Sequence, residues 1–378
     1  MERRLGIYIH IPFCIRKCAY CDFYSITATE LRADYVNALI SQIKAFRMAA
    51  KNYLVDSVYI GGGTPSMLSG EEMTRILSAL RMTFHLSDDV EISMEANPGT
   101  LDGEKLAAYR EAGVNRLSLG LQSADNTELQ KLSRIHTRQD FEASFLLARL
   151  EGFQNINIDL MYALPGQTGE KLADTLSYAI SLNPEHISFY GLKIEPETPF
   201  GRDPDIQMEI PDEDEQYHMY LTSAKTLESA GYPQYEISNF AKVGKECRHN
   251  LKYWKCEEYL SFGPAAYSFF DGKMFSYIKD VERYLMTPTD SHALFDEMSV
   301  PSKEELATQF VMVGFRLRRG IDIAEYNARF DDDFEARYRE KIKPFLARNY
   351  MVQTKEGYRL SRRGMLISNY ILSEILEF

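Results

Sequence analysis

Six short runs of apolar and β-branched residues, at 6–11, 57–61, 91–95, 116–120, 155–160 and 186–192, leave this chain few folds to choose from. Between them lie stretches with helical periodicity, at 32–46, 71–84, 104–111, 140–150 and 170–181. Strands that alternate with helices imply βαβ units and a parallel sheet. Each run is nearly continuously apolar or β-branched, as expected of strands buried on both faces. Six units are too few to close an eight-stranded barrel. The expected fold class is therefore α/β, built as a partial (β/α)6 barrel. In such sheets chemistry gathers at the C-terminal ends of the strands.

The rhythm changes after about residue 200, where Pro199, Gly201, Pro204 and Pro211 punctuate a loop. The acidic run at 212–215 suits the solvated start of a helix, which is predicted to span 214–230. A Tyr-rich region follows, to about residue 284. Beyond it come helical patterns at 304–317 and 333–348, strand-like pieces at 351–353 and 358–360, and a final helix over 362–376. The expected organisation is a barrel at 1–200, an extension at 201–300, and a winged-helix-like module at 301–378, the last two forming a C-terminal α+β extension.

The chain has 378 residues, 45% of them hydrophobic, enough for a large core and an appended module. Its net charge of −12 argues against nucleic acid as a partner, since phosphate contacts need clustered Lys and Arg. No run is apolar for the roughly 18 residues that a membrane span requires. Met1 to Arg4 lead directly into the first strand, without the apolar core of a signal peptide. The expected location is cytoplasmic. The five cysteines agree, because their odd number and N-terminal clustering speak for metal chemistry over disulfides.

The first strand ends at His10-Ile11-Pro12 and runs into Cys14-Ile15-Arg16-Lys17-Cys18-Ala19-Tyr20-Cys21. Three thiolates so spaced can converge on one metal centre. A structural zinc site wants four ligands, for which His10 is the nearest further candidate. A cubane cluster also wants four, so three cysteines leave one iron open. Arg16 and Lys17 can offset the negative charge of either. This C-x3-C-x-aromatic-C loop after a first barrel strand resembles the signature of the radical SAM superfamily. The resemblance implies a [4Fe-4S] cluster on Cys14, Cys18 and Cys21, whose open iron chelates S-adenosylmethionine (SAM). Reductive cleavage then gives a 5′-deoxyadenosyl radical. It also implies that Tyr20 packs near the adenine and that Tyr8 lies beside the SAM site.

Polar residues stand at the ends of the next strands. The second runs into Gly61-Gly62-Gly63-Thr64-Pro65, where glycines allow close backbone approach to a ligand. Glu95 ends the third and Gln122 the fourth, with Arg134 a dozen residues on. Asp159 lies on the fifth. A carboxylate can accept from ribose hydroxyls, and a guanidinium can fork onto a carboxylate. Singly, each is an ordinary loop side chain. As a set at successive strand ends they point to one pocket. They are similar to the SAM-contacting residues of the oxygen-independent coproporphyrinogen III oxidases and their relatives. That resemblance implies SAM contacts from Gly62, Gly63, Thr64, Glu95, Gln122, Arg134 and Asp159.

Within that group the chain resembles the HemW-type heme chaperones over nearly its whole length. The oxidases carry a long segment before the first strand, which here starts within ten residues. They also carry a further cysteine two residues after the third ligand, where this chain has Phe23. The HemW motif H-N-x-x-Y-W is matched by His249-Asn250-Leu251-Lys252-Tyr253-Trp254, which holds the only Trp. His249 could ligate heme iron while Tyr253 and Trp254 stack on the porphyrin, or the motif could fasten the C-terminal module to the barrel. Cys247 and Cys256 flank it and need no role as buried thiols. Tyr267 stands where many HemW proteins have His. The expected function is heme binding and transfer to an acceptor protein, for which a membrane-associated respiratory protein is the candidate. The alternative is oxidative decarboxylation of coproporphyrinogen III, and whether the chain is an enzyme stays open. A monomer or weak homodimer is expected.

Overall fold

The structure is a computed structural model that describes residues 3–289 and 291–376. The first two positions of the N-terminal run lie outside the described residues, as do 377 and 378 of the C-terminal module. Six parallel strands lie side by side in chain order: β1 Arg3–Ile11, β2 Tyr53–Gly62, β3 His85–Ala96, β4 Arg116–Gln122, β5 Ile156–Tyr162 and β6 His186–Gly191. Helices α1 Arg32–Ala45, α2 Gly70–Thr83, α3 Gly103–Ala112, α4 Asn126–Lys131, α5 Arg138–Leu150 and α6 Gly169–Ser181 connect them. The sequence dictates the helix starts. Ser69 and Thr137 close capping boxes with Glu72 and Asp140, and Thr168 caps α6.

The strands are buried on both faces, yet they alternate. Leu5, Ile7, Ile9 and Ile11 of β1 are wholly buried in the main apolar core with residues of α1 and α2. Burying each such side chain contributes about 1.5–3 kcal/mol. The other face carries Tyr8 and His10 on β1, then Ser57, Glu91, Arg116, Asn157 and His186 on the five strands that follow. These are polar and interlinked. Near-continuous apolar strands were the expectation, and the period of two differs because the barrel interior is a hydrogen-bonded polar core.

The sheet does not stop at six strands. The Tyr-rich region supplies β7 Gln234–Glu236, β8 Asn239–Ala241, β9 Tyr259–Phe262, β10 Tyr267–Phe270, β11 Lys273–Tyr277 and, after one more helix, β12 Phe295–Ser299 follows. β9 pairs parallel with β1, Gly6 opposite Tyr259, and β10 to β12 continue antiparallel. On the far edge β8 pairs antiparallel with β6, and β7 with β8. Among the described residues one sheet of 12 strands results, in the order β12-β11-β10-β9-β1-β2-β3-β4-β5-β6-β8-β7. The salt bridge between Arg3 and Glu258, at 2.8 Å, fastens the start of β1 beside β9.

The acidic run opens the helix Glu213–Ser229, with Asp212 as its cap. The last module has its own core, including Phe310, Tyr326, Phe334, Ile342 and Ile375. Helices Lys303–Gly314, Ile323–Phe330 and Phe334–Ala347 pack with a three-stranded antiparallel sheet of β13 Ile321–Asp322, β14 Met351–Gln353 and β15 Gly357–Leu360. The expected final helix is two pieces, Arg362–Leu366 and Ser368–Leu376. Among the described residues no helix is long and apolar enough to cross a membrane.

Candidate functional site

The cysteine loop leaves the C-terminal end of β1 and folds back against it, with Cys14 N donating to Ile26 O at 2.9 Å. Cys14, Cys18 and Cys21 are free thiols, each partly exposed. Cys21 N donates to Cys18 O at 3.2 Å, which tightens the second half of the loop. Burial pushes the Cys21 thiol up. Two thiols meet donors from later loops: Thr64 Oγ1, just past β2, donates to Cys14 Sγ at 3.6 Å, and Arg134 Nη1, between α4 and α5, to Cys18 Sγ at 3.6 Å.

Among the described residues, no three His, Cys, Asp or Glu side chains are grouped to hold a single metal ion. His10, the further candidate for a zinc ligand, has both ring nitrogens engaged. Nε2 donates to Tyr24 O at 2.8 Å and Nδ1 pairs with Tyr8 OH at 3.1 Å. Burial pulls its pKa down to about 4, so the ring is neutral. Three free thiols on one loop, with His10 engaged elsewhere, are the donors that a multi-iron cluster with one open iron would take.

Beside the loop is a cleft lined by Cys18, Thr64, Asn97, Thr100, Arg134 and His136. Asn97 organises it. Its Nδ2 donates to Thr64 Oγ1 at 2.8 Å, and its Oδ1 accepts from Arg134 Nη2 at 2.6 Å. Asn97 was not singled out in the sequence. It lies two residues beyond Glu95, and that spacing along an extended chain was the available signal.

The glycines at the end of β2 serve the protein's own packing. Gly62 has φ +112°, and a Cβ there would lie 2.6 Å from the His10 ring. A Cβ on Gly63 would lie 2.7 Å from Phe13 O. Gly63 N donates to Ile11 O at 2.7 Å, so these glycines let β2 close against the root of the cysteine loop. Close approach was expected toward a ligand. What the structure shows pressed against them is His10 and the loop backbone.

Glu95 accepts from Tyr59 OH at 2.9 Å and from Gly62 N at 3.1 Å. Burial, with the Asp159 charge as the second cause, pushes its pKa up to about 7. Asp159 accepts from Ser118 Oγ at 3.0 Å and Asn157 Nδ2 at 2.8 Å, and burial raises it too. Gln122 sits at a bulge that ends β4, with φ +68°, a device that re-aims a side chain at a strand terminus. Tyr20 packs against Phe200, ring centres 6.5 Å apart, in a small apolar cluster with Met161 and Leu164. Tyr8 lies deeper, stacked on Tyr59 at 6.3 Å.

His249 lies on the helix Arg248–Trp254, which packs against the first halves of β1 and β2, and its ring sits 6.4 Å from that of Tyr8 and 5.6 Å from that of Tyr59. His249 is wholly buried; Nδ1 pairs with Ser57 Oγ at 3.1 Å and Nε2 with Tyr253 OH at 2.8 Å. Burial, then Lys252, lowers its pKa to about 3. Buried Lys252 pairs with Asp56 at 2.7 Å, and Arg248 N donates to Glu91 at 3.0 Å. On the far side Arg316 lies 4.5 Å over the Trp254 ring, and Arg329 donates to Lys255 O at 2.9 Å. The motif thus joins barrel and C-terminal module, and both ring nitrogens of His249 are hydrogen-bonded within the protein. Cys247 and Cys256 are buried, and burial pushes Cys247 up to about 12, which keeps it a thiol. Tyr267 is partly exposed on β10.

A (β/α)6 barrel with a three-cysteine loop at the first strand end defines a class, and comparison agrees. The Radical SAM superfamily profile matches residues 8–179, and the HemN C-terminal domain profile matches 302–367. The chain is 35% identical to the heme chaperone HemW of Haemophilus influenzae over 383 residues, covering 98% of both chains. It is also 35% identical to that of Escherichia coli over 384 residues, again covering 98% of both. The chain belongs to the HemW family of the radical SAM superfamily. It is also similar to the structure of coproporphyrinogen III oxidase (HemN) from Escherichia coli, with a TM-score of 0.87. That match covers 99% of this chain and 90% of the other; at 24% identity it shows the shared fold alone.

Proposed function

We propose that this protein is a heme chaperone, which binds heme and passes it to an acceptor protein while carrying a SAM-liganded [4Fe-4S] cluster. Full-length similarity to proteins named heme chaperone HemW carries this reading. In it, residues 1–200 form the cluster-bearing barrel and 201–300 the extension with the H-N-x-x-Y-W motif. Residues 301–378, with helices packed against the β14–β15 hairpin, form a winged-helix-like module. Cys14, Cys18 and Cys21 hold the cluster. Glu95, Gln122, Arg134 and Asp159 hold SAM, with Tyr20 along the adenine and Gly62, Gly63, Thr64 and Tyr8 around it.

A cluster with an open iron supplies a binding point for SAM and an electron for its sulfonium. The chain supplies the rest. Thr64 and Arg134 donate to two of the three sulfurs, which spreads their negative charge. The carboxylates of Glu95 and Asp159 are placed to accept from hydroxyls. Exposed Phe23 occupies the position where the oxidases carry a further cysteine, which disfavours decarboxylation as the role.

The test uses anaerobically reconstituted full-length protein. Heme should bind stoichiometrically and leave for an apo-acceptor. Incubation with SAM, a low-potential reductant and coproporphyrinogen III should yield no decarboxylated porphyrin. Decarboxylated product by mass spectrometry would overturn the chaperone reading.

A further inference from the structure

A line of hydrogen bonds runs through the barrel interior from the motif helix to Asp159. The backbone N–H of Cys247, which caps that helix, donates to Tyr235 OH at 3.3 Å. Tyr235 OH meets His186 Nε2 at 2.8 Å. His186 Nδ1 meets Asn157 Oδ1 at 2.5 Å, and Asn157 Nδ2 donates to Asp159 Oδ1 at 2.8 Å.

The direction of this line is fixed by chemistry. The Asn157 amide must present Nδ2, because that atom faces both Ser118 Oγ at 2.6 Å and the Asp159 carboxylate. A flipped amide would set a carbonyl oxygen against a carboxylate. Its Oδ1 can then only accept, from His186 Nδ1 and from Ser188 Oγ at 3.2 Å. His186 is wholly buried, and burial, with Arg116 second, holds it well below the usual imidazole range. A neutral ring with its proton on Nδ1 must accept at Nε2, so Tyr235 donates there. Every group donates toward Asp159, and both carboxylate oxygens are held, Oδ2 by Ser118. Buried polar groups are costly unless fully paired, and this line pairs its ring at both nitrogens.

We propose that His186, with its proton on Nδ1, is a positioning residue that aims the Asp159 carboxylate at SAM through Asn157, with Tyr235 and the motif helix as the fixed end. The proposal rests on the reading that Asp159 contacts SAM. It gives the buried histidine of β6 a role that neither the cluster nor heme reading uses.

Asparagine can place its amide nitrogen where Nδ1 lies, whereas glutamine can reach only the Nε2 position. SAM affinity is measured by anaerobic calorimetric titration of cluster-loaded protein matched for iron and sulfide. His186→Gln is expected to weaken SAM roughly five- to tenfold, the loss of one buried hydrogen bond. His186→Asn should stay close to the parent, although both variants lose ring volume and some thermal stability. Equal weakening in both, or in neither, would overturn the proposal. Asp159→Asn is the control: if it leaves SAM affinity unchanged, the SAM-contact reading itself fails. In cluster-free protein labelled with 15N-histidine, His186 should show a proton on Nδ1 and no titration between about pH 5 and 8. A proton on Nε2 would overturn the assignment.

Discussion

Arg134 reaches Cys18 Sγ with Nη1 at 3.6 Å while its Nη2 donates to Asn97 Oδ1 at 2.6 Å. One guanidinium thus spans the cysteine loop and the end of β3, with its planar fork giving one nitrogen to each. Arg134→Lys keeps the charge and loses the fork. Losing a charge-assisted bond costs about 1.5–3 kcal/mol, so SAM affinity should fall by roughly tenfold or more. Calorimetric titration of the reconstituted variant checks this, and unchanged affinity would place Arg134 outside the SAM site.

Thr64 is the corresponding donor to Cys14. Thr64→Val keeps the shape and removes the hydroxyl. Hydrogen bonds to cluster sulfurs help set the potential, and losing one leaves more negative charge on the thiolate. The cluster should still assemble but become harder to reduce. Potentiometric titration followed by electron paramagnetic resonance reads the shift, and an unmoved midpoint would show that Thr64 does not bond the ligated sulfur.

Glu95 gives a pH signature. Burial, with Asp159 second, raises its folded pKa to about 7 from the ordinary carboxyl value of 4.5. Between these values the folded state holds a proton that the unfolded state has lost, so stability falls as pH rises through the window. The contribution is on the order of 3 kcal/mol. His10, at about 4, and His249, at about 3, act in the opposite sense below their unfolded pKa. The quantity to measure is therefore the difference between parent and Glu95→Gln in denaturant midpoint, without cluster or SAM. The parent should lose stability relative to the variant from about pH 4.5 to 7. A constant difference would show that Glu95 is not protonated in the folded chain.

His249 holds β2 to the motif helix through Ser57 and Tyr253. His249→Ala leaves a cavity and two hydroxyls short of a partner, at a cost of about 2–4 kcal/mol. Thermal unfolding should shift down, while the heme absorption spectrum of the folded fraction should match the parent. A changed heme spectrum with an unshifted unfolding transition would make His249 the iron ligand instead.

The residue sequence alone determined the βα alternation, because periodicity and caps such as Ser69 and Thr137 act within a few residues. It also determined the cysteine loop, whose spacing is local, and the acidic start of the helix Glu213–Ser229. Only the tertiary structure decided the rest. Pairing β1 with β9 joins Gly6 to Tyr259 across most of the chain, and four-residue strands in a Tyr-rich stretch carry no local signal of their partners. The same holds for the site. Strand ends could be named in the sequence, but Asn97 and His186 gain meaning from the neighbours that folding gives them. Gly62 and Gly63 were legible as close-approach positions, while what approaches them, the His10 ring at Gly62 and the Phe13 carbonyl at Gly63, was set by the packing of β1 and its loop. Burial and pairing are properties of packed neighbours, and for these residues the neighbours come from other strands.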